Sequence, residues 1–182
     1  MDWTPPPQLR ELRLGRDWNL PCSQLHCPST LHTLTLSTSF NHPLHDLVLP
    51  SSLRVLRFPG FLFNHPVTNL RLPAGLERLQ IGTSVLTSQA RPRLVGRFNQ
   101  PLHQLHLPAT LQWLGLPSSD FCQSHQCLPA VLPPALRVLR LHSPTRMEAS
   151  GWAELPLPRH IRIEFGPPID VTITTRIQEQ LQ

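Results

Sequence analysis

A repeated pattern of proline and leucine constrains this sequence more than any other feature. The pattern Pro-x-x-Leu-x-x-Leu-x-Leu, with Phe or Ile at some final positions, begins at Pro6, Pro28, Pro50, Pro73, Pro108 and Pro133, so successive starts lie 22, 22, 23, 35 and 25 residues apart. Self-similarity at a fixed period of this length is the signature of a repeat architecture. Because one such unit cannot bury its leucines alone, the units must stack on their neighbours.

The early units share a second signature, an aromatic residue followed by Asn-x-Pro and an apolar residue. It reads WNLPC at 18–22, FNHPL at 40–44, FNHPV at 63–67 and FNQPL at 98–102. The Leu-x-Leu ending of the first signature has the period of a β-strand, which directs its leucines to one face. Proline cannot donate to a central ladder, so both proline positions indicate corners. The sequence therefore predicts coils with two short strands and two corners each.

The two signatures together resemble the FNIP-repeat family, whose 22-residue repeats carry Phe-Asn-x-Pro-Ile and Leu-Pro-x-Ser-Leu-x-x-Leu. The segments LPSSLRVLRF at 49–58 and FNHPVTNLRLP at 63–73 hold both halves in the right order and at the right distance. The resemblance extends over about residues 6–141. It implies a leucine-rich-repeat-like solenoid and a role in binding proteins, often beside F-box or kinase domains, and this sequence has the pattern of neither domain.

We therefore expect a mainly β fold, a leucine-rich-repeat-like parallel β-solenoid of about six 22-residue coils with two short strands per coil and little helix. The solenoid should occupy residues 1–141, with an inserted loop at about 82–97. Residues 142–182 should cap its C-terminal end within the same domain, because a bare end would expose leucines and strand edges. In this cap Ile161, Ile163 and Phe165 alternate as in a short strand, Ile169, Val171 and Ile173 do the same, and Ile177 and Leu181 suit a closing helix.

The composition fits a folded chain with a modest positive charge. Although 22 of the 182 residues are proline, 40% are hydrophobic, which is more than disordered segments carry. The N-terminal residues lack the basic and apolar regions of a signal peptide, and no apolar run reaches the length of a membrane span. We expect a soluble, cytoplasmic protein. The formal charge of +5 suits an acidic partner, although scattered arginines are more often a solvated face.

Candidate catalytic and metal-binding residues are few. Cys22/Cys27 and Cys122/Cys127 form two Cys-x4-Cys pairs, but the repeat places Cys22 and Cys27 in leucine columns, where free cysteine acts as a small hydrophobe. The two pairs lie about four coils apart and cannot share one tetrahedral ion. Whether either pair is oxidised stays open. The histidines fall mainly at exposed repeat positions and no catalytic motif is present, so we expect no metal, no cofactor and no enzyme activity.

The candidate partner-binding residues flank the middle leucine of the first strand and point outward. Unlike the inward columns they vary from coil to coil, which is how a repeat scaffold presents a particular surface. They combine arginines with apolar and aromatic side chains typical of interfaces, and we select Arg13, Val55, Arg57, Arg78, Trp113, Val138 and Arg140. This pattern predicts a non-enzymatic protein–protein interaction module for a protein or peptide partner with acidic groups. Nucleic-acid or polyanion binding through the arginines and a solvated face without a partner remain alternatives, and the oligomeric state is open.

Overall fold

One parallel β-sheet runs the length of the molecule. The structure, a computed structural model, describes residues 5–82, 97–116, 128, 131–141 and 157–165. Its strands are β1 (Glu11–Arg13), β2 (Thr33–Thr35), β3 (Val55–Phe58), β4 (Arg78–Ile81), β5 (Trp113–Leu116), β6 (Val138–Leu141) and β7 (Arg162–Phe165). They form a seven-stranded sheet in sequence order, and all six neighbouring pairs are parallel. This is the leucine-rich-repeat-like parallel β-solenoid that the sequence predicts.

A shared carbonyl just before each strand fixes the register of the stack. The Arg54 carbonyl oxygen accepts from the N–H groups of both Glu77 and Arg78, at 2.9 and 3.0 Å. One carbonyl thus accepts from two successive N–H groups of the neighbouring coil. The same pairing recurs at the starts of β2, β3, β5 and β6. Because it recurs at the same position of successive coils, equivalent side chains stay aligned.

The core lies behind the sheet and consists of the repeated apolar residues. The middle leucines of β2 to β6, from Leu34 to Leu139, are fully buried, and so are Leu36, Phe58 and Ile81 at the inward positions that follow. Leucines of the corner before each strand, such as Leu31 and Leu53, are equally buried. The period-2 pattern therefore assigns the faces correctly, and burial of these ladders between neighbouring coils supplies most of the stabilisation.

The aromatic and asparagine columns continue the stack behind the sheet. The rings of Trp18, Phe40, Phe63 and Phe98 follow one another in a stacked file, with centroids 5.8, 5.8 and 5.9 Å apart. Beside them the Asn19 side-chain oxygen accepts from the Asn41 backbone N–H at 2.9 Å, and Asn64 does the same for Asn99. Both columns link one coil to the next, as the sequence predicts.

The second half of each coil corrects one expectation, because no second strand forms in the part of the chain that the structure describes. After the Asn-x-Pro motif the chain turns tightly instead. The N–H groups of Leu47, Leu70 and Leu105 each bond to the carbonyl three residues earlier, at 3.1, 3.1 and 2.8 Å. In the first coil this turn is the short 3-10 helix Cys22–Gln24. Proline removes a ladder donor and pre-sets a turn conformation, so a corner replaces the strand.

Hydroxyl groups secure the corners before β2, β3 and β5. Thr30 Oγ1 donates to the carbonyl oxygens of Pro7 and Leu9 in the preceding coil, at 2.7 and 3.0 Å. Thr110 makes the equivalent two bonds at 2.6 and 2.9 Å, and Ser52 makes one at 2.6 Å. The Ser or Thr of the Pro-x-Ser-Leu motif therefore satisfies backbone carbonyls that the corner would leave without a donor.

At two corners where the next coil lacks this hydroxyl, before β4 and before β7, an arginine supplies the donor. Gly75 occupies the hydroxyl position of its coil, and Arg54 Nη1 donates to the carbonyl oxygens of Ser51 and Leu53 at 3.1 and 3.3 Å. A Cβ atom on Gly75 would clash with that nitrogen. Arg137 repeats the arrangement one coil before β7. These two arginines therefore serve the corners.

The C-terminal segment is described only in part. Residues 157–165 add β7 to the sheet, which confirms the strand expected at Ile161–Phe165. The number of coils in the structure differs slightly from the six that the sequence predicts. Most of the inserted loop at 82–97, the expected strand at 169–173 and the closing helix lie outside the described residues. The domain boundaries at 141 and 142 stay a prediction.

Candidate interaction surface

The register arranges the outward side chains of the strands into two straight rows, which together we name the outward face. The first row holds Glu11, Thr33, Val55, Arg78, Trp113, Val138 and Arg162. The second row holds Arg13, Thr35, Arg57, Gln80, Gly115, Arg140 and Glu164. Strands in a sheet lie about 4.8 Å apart, so neighbours within a row are close enough to act on one ligand. The structure thus brings all seven predicted site residues onto one face.

Negative charge on the outward face is confined to its two ends. At β1, Glu11 pairs with Arg13 of the same strand at 2.6 Å. At β7, Glu164 pairs with Arg162 at 2.6 Å and with Arg140 at 3.5 Å. The outward positions of β2 to β6 contain no Asp or Glu. The charged residues at the outward positions of β2 to β6 are therefore Arg57, Arg78 and Arg140.

The ring of Trp113 covers Gly115 on β5, and we name this feature the aromatic shelf. A Cβ atom at Gly115 would clash with Cη2 of the indole, so the ring rests on the backbone of Gly115 two residues along the strand. The absence of a side chain at Gly115 is what makes room for the ring. Trp113 itself is half-buried. The sequence signal for this shelf is Trp-x-Gly on one strand, which the repeat columns alone do not single out.

The second-row residues on either side of Gly115 are less accessible than the sequence predicts. Gln80 is only 8% exposed, and its amide donates to the Gly82 carbonyl oxygen at 3.2 Å. Arg140 is only 6% exposed and contributes to the Glu164 ion pair. Because Arg140 is buried and paired with a carboxylate, it does not contact an acidic partner directly.

Arg13 and Arg78 are the exposed members of the predicted set. Arg78 is exposed, and it lies in register between Val55 and Trp113. Arg57 is half-buried in the second row, diagonal to Arg78. Val55 and Val138 are half-buried rather than exposed. The accessible part of the outward face is thus a cationic patch on β3 and β4 beside an aromatic and aliphatic patch on β5 and β6.

The first cysteine pair behaves as the repeat predicts. Cys22 is buried, Cys27 is half-buried, and both are free thiols. Burial raises the pKa of Cys22 to about 11, with smaller contributions from Asp46 and Cys27. Burial alone raises the pKa of Cys27 to about 11. Such thiols stay protonated at neutral pH and are poor nucleophiles.

Metal-binding clusters are not found among the residues that the structure describes, a range that leaves out Cys122 and Cys127. The expectation of no metal therefore stays a prediction for the whole chain. His42 and His65, expected at the surface, are half-buried, and their Nε2 atoms lie 3.0 and 3.1 Å from the carbonyl oxygens of Asn19 and Asn41. They extend the asparagine column and form no separate site.

The fold defines a class, the leucine-rich-repeat-like solenoid. The sequence model of a family described as FNIP Repeat matches residues 40–84, which contain two of the aromatic-Asn-x-Pro motifs and confirm the resemblance there. A search of curated proteins finds no significant match. One similar solved structure is that of CroV588, a novel circular LRR protein, with 25% sequence identity and a TM-score of 0.39. That alignment covers 91% of this chain and 28% of the other.

No helix among the described residues is long and apolar enough to cross a membrane.

Proposed function

We propose that this chain is a non-enzymatic protein-interaction scaffold that binds a partner with acidic groups on the outward face of β2 to β6. The observation that carries the proposal is the position of Arg78, which is exposed and lies in register between Val55 and Trp113 on strands whose outward positions hold no Asp or Glu. Complementary charge directs a partner to such a patch and fixes its register.

Three further features support this function. The inward columns are uniform and serve the repeat, while the outward positions differ from strand to strand, as expected of a surface selected for one partner. Trp113 offers the large, rigid ring that interfaces use as an anchor. The FNIP-repeat match and the solenoid fold agree with a scaffold role in general terms.

Polyanion or nucleic-acid binding is the alternative from a different class. An aromatic ring beside arginines can stack a base and hold a phosphate. However, the accessible cations of the central face number two among the described residues, Arg57 and Arg78, and strong backbone binding requires many phosphate contacts. The apolar patch on β6 would also have no role. We therefore favour a protein partner.

Capture experiments with a matched charge change test the proposed function. The immobilised full chain, the double variant R57E/R78E and the control R16E/R71E are compared in one cell extract treated with nuclease. Arg16 and Arg71 are exposed and lie off the strands, so both double variants lose the same charge. We expect specific proteins to be captured by the wild type and the control and to be lost with R57E/R78E.

Equal capture by all three proteins would refute the use of this face. A salt titration with single- and double-stranded oligonucleotides separates the alternative, because phosphate contacts give a steep dependence of binding on salt concentration. Tight, strongly salt-dependent oligonucleotide binding that R57E/R78E removes would replace the protein partner by a polyanion.

A further inference from the structure

Four residues of the first row present an ordered series of chemical groups across neighbouring strands. From β3 to β6 the row is aliphatic, cationic, aromatic and aliphatic, through Val55, Arg78, Trp113 and Val138. Arg78 is exposed, and the outward positions of β2 to β6 hold no Asp or Glu. A ligand that follows this row therefore needs one acidic group, with one apolar group on one side of it and two on the other.

The spacing of this row matches one face of an α-helix that crosses the strands. Strands lie about 4.8 Å apart, so the four residues span about 14 Å. On a helix, residues at i, i+4, i+7 and i+11 share a face and, at about 1.5 Å per residue, span about 16 Å. Side chains on one side of an extended peptide repeat at about 6.7 Å, so four of them span about 20 Å. A helix thus stays within about 2 Å of the row, whereas an extended peptide departs from it by about one strand spacing.

The second row leaves room for a helix beside the first. A helix with its side chains is about 10–12 Å across, which is wider than one row of the sheet. The second-row residues of β4 to β6 are Gln80, Gly115 and Arg140, and all three are buried. The Gln80 amide donates to the Gly82 carbonyl oxygen, and the indole of Trp113 covers Gly115. These positions form a low surface, and a surface that needs no rearrangement lowers the entropic cost of binding.

The order of the groups also fixes the register of the helix. Within the first row of β2 to β6, Arg78 is the charged residue. A shift by one strand would place the acidic residue of the ligand over Val55 or Trp113, where the first row offers no cation. The ion pair with Arg78 is therefore made in one register, which is how charge complementarity gives specificity.

We propose that the first row of the outward face binds an amphipathic helix of a partner protein, and that the contact face of this helix carries one carboxylate between apolar residues. The carboxylate pairs with Arg78, one apolar residue packs on the aromatic shelf, and the outer apolar residues contact Val55 and Val138. This inference rests on the proposed function and specifies the chemistry and the secondary structure of the partner. A nucleic acid would leave the two valines without a contact, which is why we infer a protein helix.

Fluorescence anisotropy with labelled helical peptides tests the inference on the full chain. The probes are AQALQAAEQALQAALAQA, whose contact face is Leu, Glu, Leu and Leu, and its reversed sequence, because the geometry does not set the direction of the helix. The matched controls replace Glu by Gln, the inner leucine of the face by alanine, or one central alanine by proline, which breaks the helix. We expect one direction to bind with a Kd of about 100 μM, and each control to bind at least about tenfold more weakly, a loss of about 1.4 kcal/mol. Circular dichroism checks the helicity of each peptide.

Variants of the protein locate the contact. R78E and W113A should each weaken binding about tenfold, whereas R71E, an equal charge change away from the face, should leave it unchanged. Exchanging the charges is the sharper test, because R78E should bind a peptide with Lys in place of Glu more tightly than the wild type does. A further variant, G115A, displaces the indole while keeping it, so it should weaken binding of the parent peptide and leave binding of the Leu-to-Ala control as it was. Thermal unfolding of each variant checks that the solenoid remains intact.

The inference is overturned if neither peptide binds, or if the proline control binds as tightly as its parent, because the ligand is then not a helix. It is also overturned if R78E matters while W113A and G115A do not, since that result describes charge attraction alone, or if an oligothymidine competes more strongly than the peptide with the same dependence on Trp113. If R57E/R78E abolishes capture from the extract but the peptides fail, the proposed function stands and this inference falls.

Discussion

The corner before β4 offers a quantitative test of how the coils are held together. There Arg54 Nη1 donates to the carbonyl oxygens of Ser51 and Leu53 at 3.1 and 3.3 Å, in place of the hydroxyl that Thr30 and Thr110 supply elsewhere. Replacing Arg54 by Ala removes this donor. Introducing a threonine in place of Gly75 in the same chain should restore it, because a hydroxyl there is aligned with the same two carbonyls.

The expected gain follows from hydrogen-bond energetics. One net intramolecular hydrogen bond contributes about 1 kcal/mol. Removing a glycine also stabilises through the unfolded chain, by about 0.4–1 kcal/mol, so the matched control is R54A/G75A, which shares that effect. R54A/G75T should exceed the control by about 1 kcal/mol, or about 2–4 °C in Tm for a chain of this size.

Urea and thermal unfolding followed by circular dichroism measure the difference. With Arg54 still present, the gain of G75T over G75A should shrink, because the threonine hydroxyl and the guanidinium then compete for the same carbonyls in a space that Arg54 Nη1 already fills. The reasoning is refuted if R54A/G75T is no more stable than R54A/G75A, or if the gain from threonine is the same with and without Arg54.

Three further predictions follow from the core and the buried polar groups. Phe63→Ala should cost about 3–5 kcal/mol in urea unfolding, because the ring is fully buried and stacked on both sides; a cost below about 1 kcal/mol would argue against the aromatic file. Thr35→Val should raise the free energy of unfolding by about 1 kcal/mol, since Thr35 Oγ1 is buried without a hydrogen-bond partner in the described part of the chain; a loss of stability would contradict this. The raised pKa values of Cys22 and Cys27 predict a free energy of unfolding that is highest below pH 9 and falls as the pH rises through about 11. They also predict slow iodoacetamide labelling of both thiols at about pH 8, measured by mass spectrometry. Labelling as fast as in the unfolded chain would refute this prediction.

The sequence predicts the columns of this fold well because they arise from local, repeated chemistry. Leu34, Phe40 and Asn41 recur at fixed offsets, so their roles can be inferred by superposing units. The predicted second strand was wrong because the apolar alternation after Pro43 also fits a tight turn, and only the bond from the Leu47 N–H to the Leu44 carbonyl distinguishes the two.

The candidate site was predictable only in outline. Sequence columns correctly placed Arg78 and Trp113 on one face, because the strand period alone determines the side on which a residue lies. They could not predict that Arg140 is buried against Glu164, since Glu164 lies in the final strand, where the repeat pattern has faded. Nor could they predict the indole lying on Gly115, which depends on side-chain conformation rather than on period.

The most direct test of the whole scheme is the arrangement of the phenylalanine rings in solution. If the coils stack in register, NMR spectra of selectively ring-labelled protein will show nuclear Overhauser effects from Phe63 to both Phe40 and Phe98, whose centroids lie 5.8 and 5.9 Å away. Clear ring signals without these two contacts would contradict the register, and the outward face defined by that register would no longer exist.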